Sequence, residues 1–79
     1  MDYKLSTITA GMAHLVVDDS IIATIERSEG GPTPCEGQWF AYPCPSSADS
    51  MAHQHDRAAR ATVWGRTRSE CAEEFLARR

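Results

Sequence analysis

The sequence predicts a small α+β domain: an antiparallel or mixed sheet of three to five strands with one or two helices packed on a face. Three observations lead to this class. Segments of alternating, β-branched residues fill the first half of the chain, a helical stripe and a short strand follow, and a segment with helix-capping residues ends it. Because 79 residues bury only about 60% of the surface that the unfolded chain exposes, we expect one domain over 1–79.

The first half of the chain is predicted to form strands. YKLSTIT (3–9) alternates and predicts a strand that ends at the turn residues 10–11. HLVVDDSIIATIER (14–27) predicts two strands around a turn at 18–20, where Asp and Ser side chains bond their own backbone. The second of these segments also fits a helical stripe, but its β-branched content favours a strand.

A loop and an aromatic strand come next. SEGGPTPCEG (28–37) holds three glycines and two prolines and is predicted to be a loop. QWFAYPC (38–44) is predicted to be a strand, with Trp39 facing one side and Phe40 and Tyr42 facing the other. Aromatic residues on both faces indicate a strand covered on both sides, or a sheet face left open for a partner.

A helix is predicted over about 47–59 in SSADSMAHQHDRAAR, from an apolar stripe at helical spacing. Ser46 with Asp49 three residues later resembles a capping box. ATVWG (61–65) then predicts a short strand.

The last segment, TRSECAEEFLARR, predicts a helix that begins after Thr67. Thr67 is a good N-cap, Glu70 completes a capping box, and Gly65 is expected to supply the bend before them. Glu74 is placed to pair with Arg78 one turn later. Four residues form the apolar face of this helix: Cys71, Ala72, Phe75 and Leu76.

Charge is distributed unevenly along the chain. Residues 1–56 carry two basic and eight acidic groups, whereas 57–79 carry six arginines and three glutamates, so the two parts have net charges of −6 and +3. Such a dipole can steer encounters with a charged partner, whereas a duplex-binding domain is usually basic across a face. We therefore do not expect direct nucleic-acid binding.

The chain is expected to stay in the cytoplasm. Its longest apolar run is far short of the ~20 residues that span a bilayer, and MDYKLSTITAG has neither a basic leader nor an apolar signal region. In that compartment Cys35, Cys44 and Cys71 should remain reduced, so a disulfide framework is not expected.

No metal site, cofactor or enzyme activity is predicted. Cys35, Cys44, His53 and His55 lack the closely paired ligands of structural zinc sites, and on a helix the two histidines would point about 200° apart. Ser50 lies near aspartate and histidine, but the nucleophile-elbow pattern G-x-S-x-G is absent from the sequence.

Two further interpretations concern partner binding. Trp64, Arg66 and Arg68 could together contact a nucleic-acid backbone, although Trp64 as a core residue with solvated arginines is favoured. The acidic residues around one predicted strand could instead present a negative patch to a basic groove, with aromatic residues as anchors. The predicted partner-binding residues are Asp18, Asp19, Glu26, Glu29, Glu36, Trp39, Phe40 and Tyr42.

Three segments, IIATIERSEGG, QWFAYP and GRTRSECAEEF, resemble the HicB-type antitoxin arrangement. The resemblance covers about half of the chain. It implies two strands and a third that lead through a glycine-threonine turn into an alanine- and glutamate-rich helix. The same ending also resembles the arm-type DNA-binding module of integrases.

As a class, an acidic α+β domain of fewer than ~100 residues without a catalytic set is similar to phage anti-CRISPR proteins. That resemblance implies an inhibitor that occludes the DNA-binding groove of a type I surveillance complex. Its acidic residues would contact lysines and arginines of the Cascade backbone subunit. A HicB-like antitoxin or a small nucleic-acid-binding regulator is the alternative.

Overall fold

The computed structural model describes residues 2–43 and 53–79, and these form a five-stranded antiparallel sheet with two helices. Each strand pairs with its neighbours in chain order, which is the simplest antiparallel meander. This confirms the predicted α+β class. The elements are β1 (Lys4–Thr9), β2 (Met12–Val17), β3 (Ser20–Arg27), β4 (Trp39–Pro43), α1 (Gln54–Ala58), β5 (Val63–Gly65) and α2 (Arg68–Ala77).

The central hairpin joins β2 and β3 through a two-residue turn. Asp18 and Asp19 have φ angles of 51° and 64°, so both adopt the left-handed conformation that a type I′ turn requires. Val17 and Ser20 close the turn as a strand pair, so Ser20 begins β3 rather than belonging to the turn. The segment that also fitted a helical stripe is thus a strand, as its β-branched content indicated.

The two helices pack on opposite faces of the sheet. On one face, the apolar side of α2 packs against Leu15, Ile25 and Ala41. On the other face, Ala58 of α1 packs against Phe40 and the neighbouring aromatic residues. Strand β4 is therefore covered on both sides, which confirms the first of the two interpretations of its aromatic pattern.

The capping box of α2 is confirmed, with one difference in geometry. The hydroxyl of Thr67 accepts a hydrogen bond from the backbone N–H of Glu70 at 3.0 Å. The carboxylate of Glu70 in turn accepts from the N–H of Arg66 at 3.2 Å, rather than from that of Thr67. Near the other end, Arg78 donates to Glu74 at 2.7 Å.

Gly65 is needed for close packing rather than for a bend. Its φ angle lies outside the left-handed region, but a Cβ at this position would lie 2.8 Å from the backbone nitrogen of Cys71. Glycine here lets the first turn of α2 approach the end of β5. The prediction that Gly65 supplies a bend is therefore corrected: glycine is needed there because a side chain would not fit.

The predicted helix over 47–59 is only partly within the described residues. There, α1 spans Gln54–Ala58, and His53 is its extended N-cap, with φ −127° and ψ 149°. The predicted end is correct to within one residue. The part of the prediction before 53, including the capping box of Ser46 and Asp49, lies outside the described residues.

Candidate protein-binding tip

The turn of the central hairpin projects beyond the strands beside it. We call residues 17–22 the tip. Strand β4 ends at Pro43, opposite Ala23, and β1 begins at Lys4, opposite Val16. Residues 20–22 therefore extend past the end of β4, by about 10 Å at the usual rise of a strand. Among the described residues, β4 therefore has no partner for residues 20–22 of the tip.

Carboxylates surround a shallow depression at the tip. Asp18 and Asp19 are exposed, as is Asp2 across the depression, which has a volume of about 280 Å³. These three carboxylates make no ion pair with any residue in 2–43 or 53–79. Their charge is thus available to a partner. The residues that line the depression are Asp2, Tyr3, Lys4, Val16, Asp18 and Asp19.

The wall of the depression is held by a contact between Tyr3, just before β1, and α2. The hydroxyl of Tyr3 donates to a carboxylate oxygen of Glu73 at 3.2 Å. Burial of the Tyr3 side chain, together with this hydrogen bond, raises the pKa of its hydroxyl above the ordinary value. Tyr3 therefore remains a neutral donor at physiological pH.

An exposed isoleucine lies beside the acidic turn. Ile21 is 45% exposed and pairs with Val16 across the hairpin, whereas its neighbour Ile22 packs against the core under α2. Ile21 is not among the partner-binding residues predicted from the sequence. A weak signal was present, because adjacent residues of a regular strand point to opposite faces of the sheet. Which of them is exposed depends on the irregular register opposite Leu15 and Val16.

The acidic residues predicted to form one patch are divided between the two ends of β3. Asp18 and Asp19 precede the strand, whereas Glu29 and Glu36 lie in the loop that follows it. Eight strand residues separate the two groups, which is about 25 Å along an extended chain. The expectation of a single acidic patch is corrected to two separate acidic groups.

Glu26 is a buried residue and not part of the acidic surface. It is only 2% exposed, and Arg57 donates two hydrogen bonds of 2.8 Å to its two carboxylate oxygens. The hydroxyl of Tyr42 adds a bond of 2.9 Å, and the side-chain amide of Gln54 adds one of 3.2 Å. The hydrogen bonds that Arg57 donates to Glu26 raise the pKa of the Arg57 guanidinium above its ordinary value. These contacts hold α1 on the sheet.

The predicted aromatic anchors are mostly core residues. Phe40 is fully buried, Tyr42 is 3% exposed, and Trp39 is half-buried against the core under α2. The expectation that Phe40 and Tyr42 contact a partner is corrected, because α1 and the sheet enclose them. Trp39 retains some exposed surface.

The favoured interpretation of Trp64 as a core residue is consistent with its surroundings. Its ring lies 5.0 Å from that of Phe40 and belongs to the cluster under α1. Arg68 instead extends across the opposite face, where it donates to the hydroxyl of Thr7 at 3.0 Å. Trp64 and Arg68 therefore do not form one contact surface.

The described histidines and cysteines do not form a metal site. Within 2–43 and 53–79, no group of three or more His, Cys, Asp or Glu side chains is placed to hold an ion. The rings of His53 and His55 stack 5.5 Å apart, so their expected divergence is wrong, because His53 is extended rather than helical. Cys35 is exposed, and Cys71 is buried. Cys44 and Ser50 lie outside the described residues.

Neither α1 nor α2 has the length and apolar character that crossing a membrane requires. No protein-family model matches the sequence, and no curated protein or solved structure is significantly similar to the chain.

Proposed function

We propose that this chain is a non-enzymatic binding protein that inhibits a nucleic-acid-binding machine by covering its basic surface with the tip. The observation that supports this most directly is the pair of exposed carboxylates, Asp18 and Asp19, which have no ion pair within the described residues and lie at a projecting turn. A short acidic projection suits a groove built to hold phosphates, because it carries the same charge as the ligand that it replaces.

The backbone of the turn supports a role for these carboxylates. Both positions have φ above +50°, where Asn-Gly is the favoured pair and aspartate is tolerated with some strain. Two aspartates thus keep a double negative charge at a site where a neutral pair would be more stable. Together with Asp2, they leave a depression into which a lysine or arginine side chain of the partner fits.

The partner we propose is the DNA-binding groove of a type I surveillance complex, the target implied by the resemblance to anti-CRISPR proteins. In this arrangement the tip lies over lysines and arginines of the backbone subunit. Target DNA is then excluded because both ligands need the same basic side chains. This inhibition does not require any covalent bond to form or break in either protein.

The experiment measures binding of a fluorescent target duplex to a panel of purified type I surveillance complexes after incubation with the chain. The native chain should abolish duplex binding by at least one of them. Asp18→Asn with Asp19→Asn should restore binding, since this variant removes two charges but keeps residues that tolerate the turn.

The matched control is Glu29→Gln with Glu36→Gln, which removes the same charge from the opposite end of β3 and should inhibit like the native chain. If the native chain leaves duplex binding unchanged in every complex, the proposed target is incorrect. If both double variants lose inhibition equally, the tip is not the site.

A second candidate is a HicB-like antitoxin, and one observation favours it. Strands β3, β4 and β5 are antiparallel neighbours in the sheet, and α2 follows β5 and packs on them. Apart from α1, which lies between β4 and β5, this is the order of elements that the resemblance implies. An antitoxin should form a stable complex with the toxin from an adjacent reading frame and restore growth when the two are expressed together. Failure of both would exclude this candidate.

A further inference from the structure

We infer that Ile21 is the apolar anchor of the tip and that its partner is a folded protein with an apolar pocket bordered by lysine or arginine side chains. The choice of a protein partner extends the proposed function and rests on it. The anchor can be tested without a surveillance complex, so the two can fail separately.

Ile21 combines exposure with a position beside the acidic turn. Among the described residues, the exposed large hydrophobic side chains are Ile8 and Ile21, at 46% and 45%. Ile21 lies three residues from Asp18 and pairs with Val16, a half-buried residue that also lines the acidic depression. An apolar centre with charged residues around it is the usual composition of a strong contact site in a protein interface.

The negative charge of the tip favours a basic protein as its partner over a nucleic acid or a second copy of the chain. Asp18 and Asp19 repel the phosphates of a nucleic acid, and Lys4 is the one basic residue within 2–43 and 53–79 that lines the depression. A second copy docked tip to tip would bring four aspartates together and would be repelled in the same way. A basic protein surface is attracted by the carboxylates and can bury the isoleucine.

The size of the effect follows from the exposed fraction of the side chain. The free energy gained on burial is roughly proportional to the apolar area removed from water, and Ile21 has a little under half of its surface left for a partner to bury. Replacing it with serine should therefore weaken binding about fivefold.

The experiment is an NMR titration of the ¹⁵N-labelled full chain with the peptide acetyl-Arg-Leu-Arg-Leu-Arg-amide. The amides of residues 17–22 should shift, and Ile21→Ser should raise the dissociation constant about fivefold. Ile8→Ser is the matched control: it removes an equally exposed isoleucine from the other end of the sheet and should leave the dissociation constant unchanged.

Three further samples decide between occupants. A peptide with glutamate in place of arginine, a single-stranded DNA decamer, and a concentration series of the chain alone should leave residues 17–22 unshifted. Shifts with the decamer would identify a nucleic-acid site, and shifts with concentration would identify self-association; either overturns the inference. It is also overturned if the arginine peptide does not bind, or if the two serine variants bind it equally.

Discussion

Replacing Arg57 with alanine tests how α1 is held on the sheet. The change removes both 2.8 Å hydrogen bonds that the guanidinium donates to Glu26. The carboxylate of Glu26, whose side chain is 3% exposed in the native protein, then keeps the bonds from Tyr42 and Gln54. A negative charge without a counterion remains in the interior.

The expected loss is a large part of the total stability. Breaking a buried ion pair by removing one partner costs about 3–5 kcal/mol, and the two remaining hydrogen bonds place this loss near the lower end. A chain of 79 residues has a free energy of unfolding of about 4–12 kcal/mol. We therefore expect Arg57→Ala to lose about 3 kcal/mol, which leaves the native state marginal.

Urea unfolding followed by tryptophan fluorescence measures this loss, since Trp39 and Trp64 pack against the two core clusters. With a slope of about 1 kcal/mol per molar, the midpoint should fall by roughly 3 M. The control is Arg78→Ala, which breaks an ion pair with side chains 65% and 43% exposed and should cost less than about 1 kcal/mol. Equal losses in the two variants would refute the reasoning.

Three other changes give distinct outcomes in the same urea assay. Gly65→Ala should lower the free energy of unfolding by about 1–3 kcal/mol, because the new Cβ lies 2.8 Å from a backbone nitrogen. The control Gly11→Ala should lower it hardly at all, because a Cβ there lies 3.9 Å from its nearest neighbour. Equal losses would contradict the steric account. Asp18→Asn with Asp19→Gly should raise the free energy of unfolding by about 0.5–1 kcal/mol, because these residues adopt the positive φ angles of the turn with less strain. The same variant should no longer inhibit duplex binding. A loss of stability would argue against strain in the turn. Burial raises the pKa of the Cys71 thiol from 9.0 to about 12. Above pH 9 the thiol of the unfolded chain loses its proton first, so the free energy of unfolding should be constant below pH 9 and fall as the pH rises toward 12. The fall should be less steep in Cys71→Ala, and parallel pH profiles for the two proteins would contradict this.

Locally encoded elements were predictable from the sequence. The helix α2 was placed correctly because its N-cap, capping box and apolar face all lie within a dozen residues, from Thr67 to Arg78. The strand β3 followed from its β-branched residues, and the turn before it from two adjacent aspartates. Each of these features depends on neighbours in the chain.

The composition of the candidate site depended on contacts that the sequence does not reveal. Glu26 looked like a surface acid, and its partner Arg57 lies 31 residues later on another element. The separation of the tip from Glu29 depends on the length and direction of β3. The exposure of Ile21 depends on an irregular register in the hairpin. Long-range contacts and strand register, rather than local pattern, decided the first and third of these.

The most direct test of the acidic tip as the contact surface is the dissociation constant for the inhibited surveillance complex, measured by biolayer interferometry with the native chain and the two charge-neutralised double variants. We predict that neutralising Asp18 and Asp19 raises this constant at least about tenfold, equivalent to about 1.4 kcal/mol, while neutralising Glu29 and Glu36 leaves it within about twofold of the native value. The reverse order, or equal constants for all three proteins, would contradict the account.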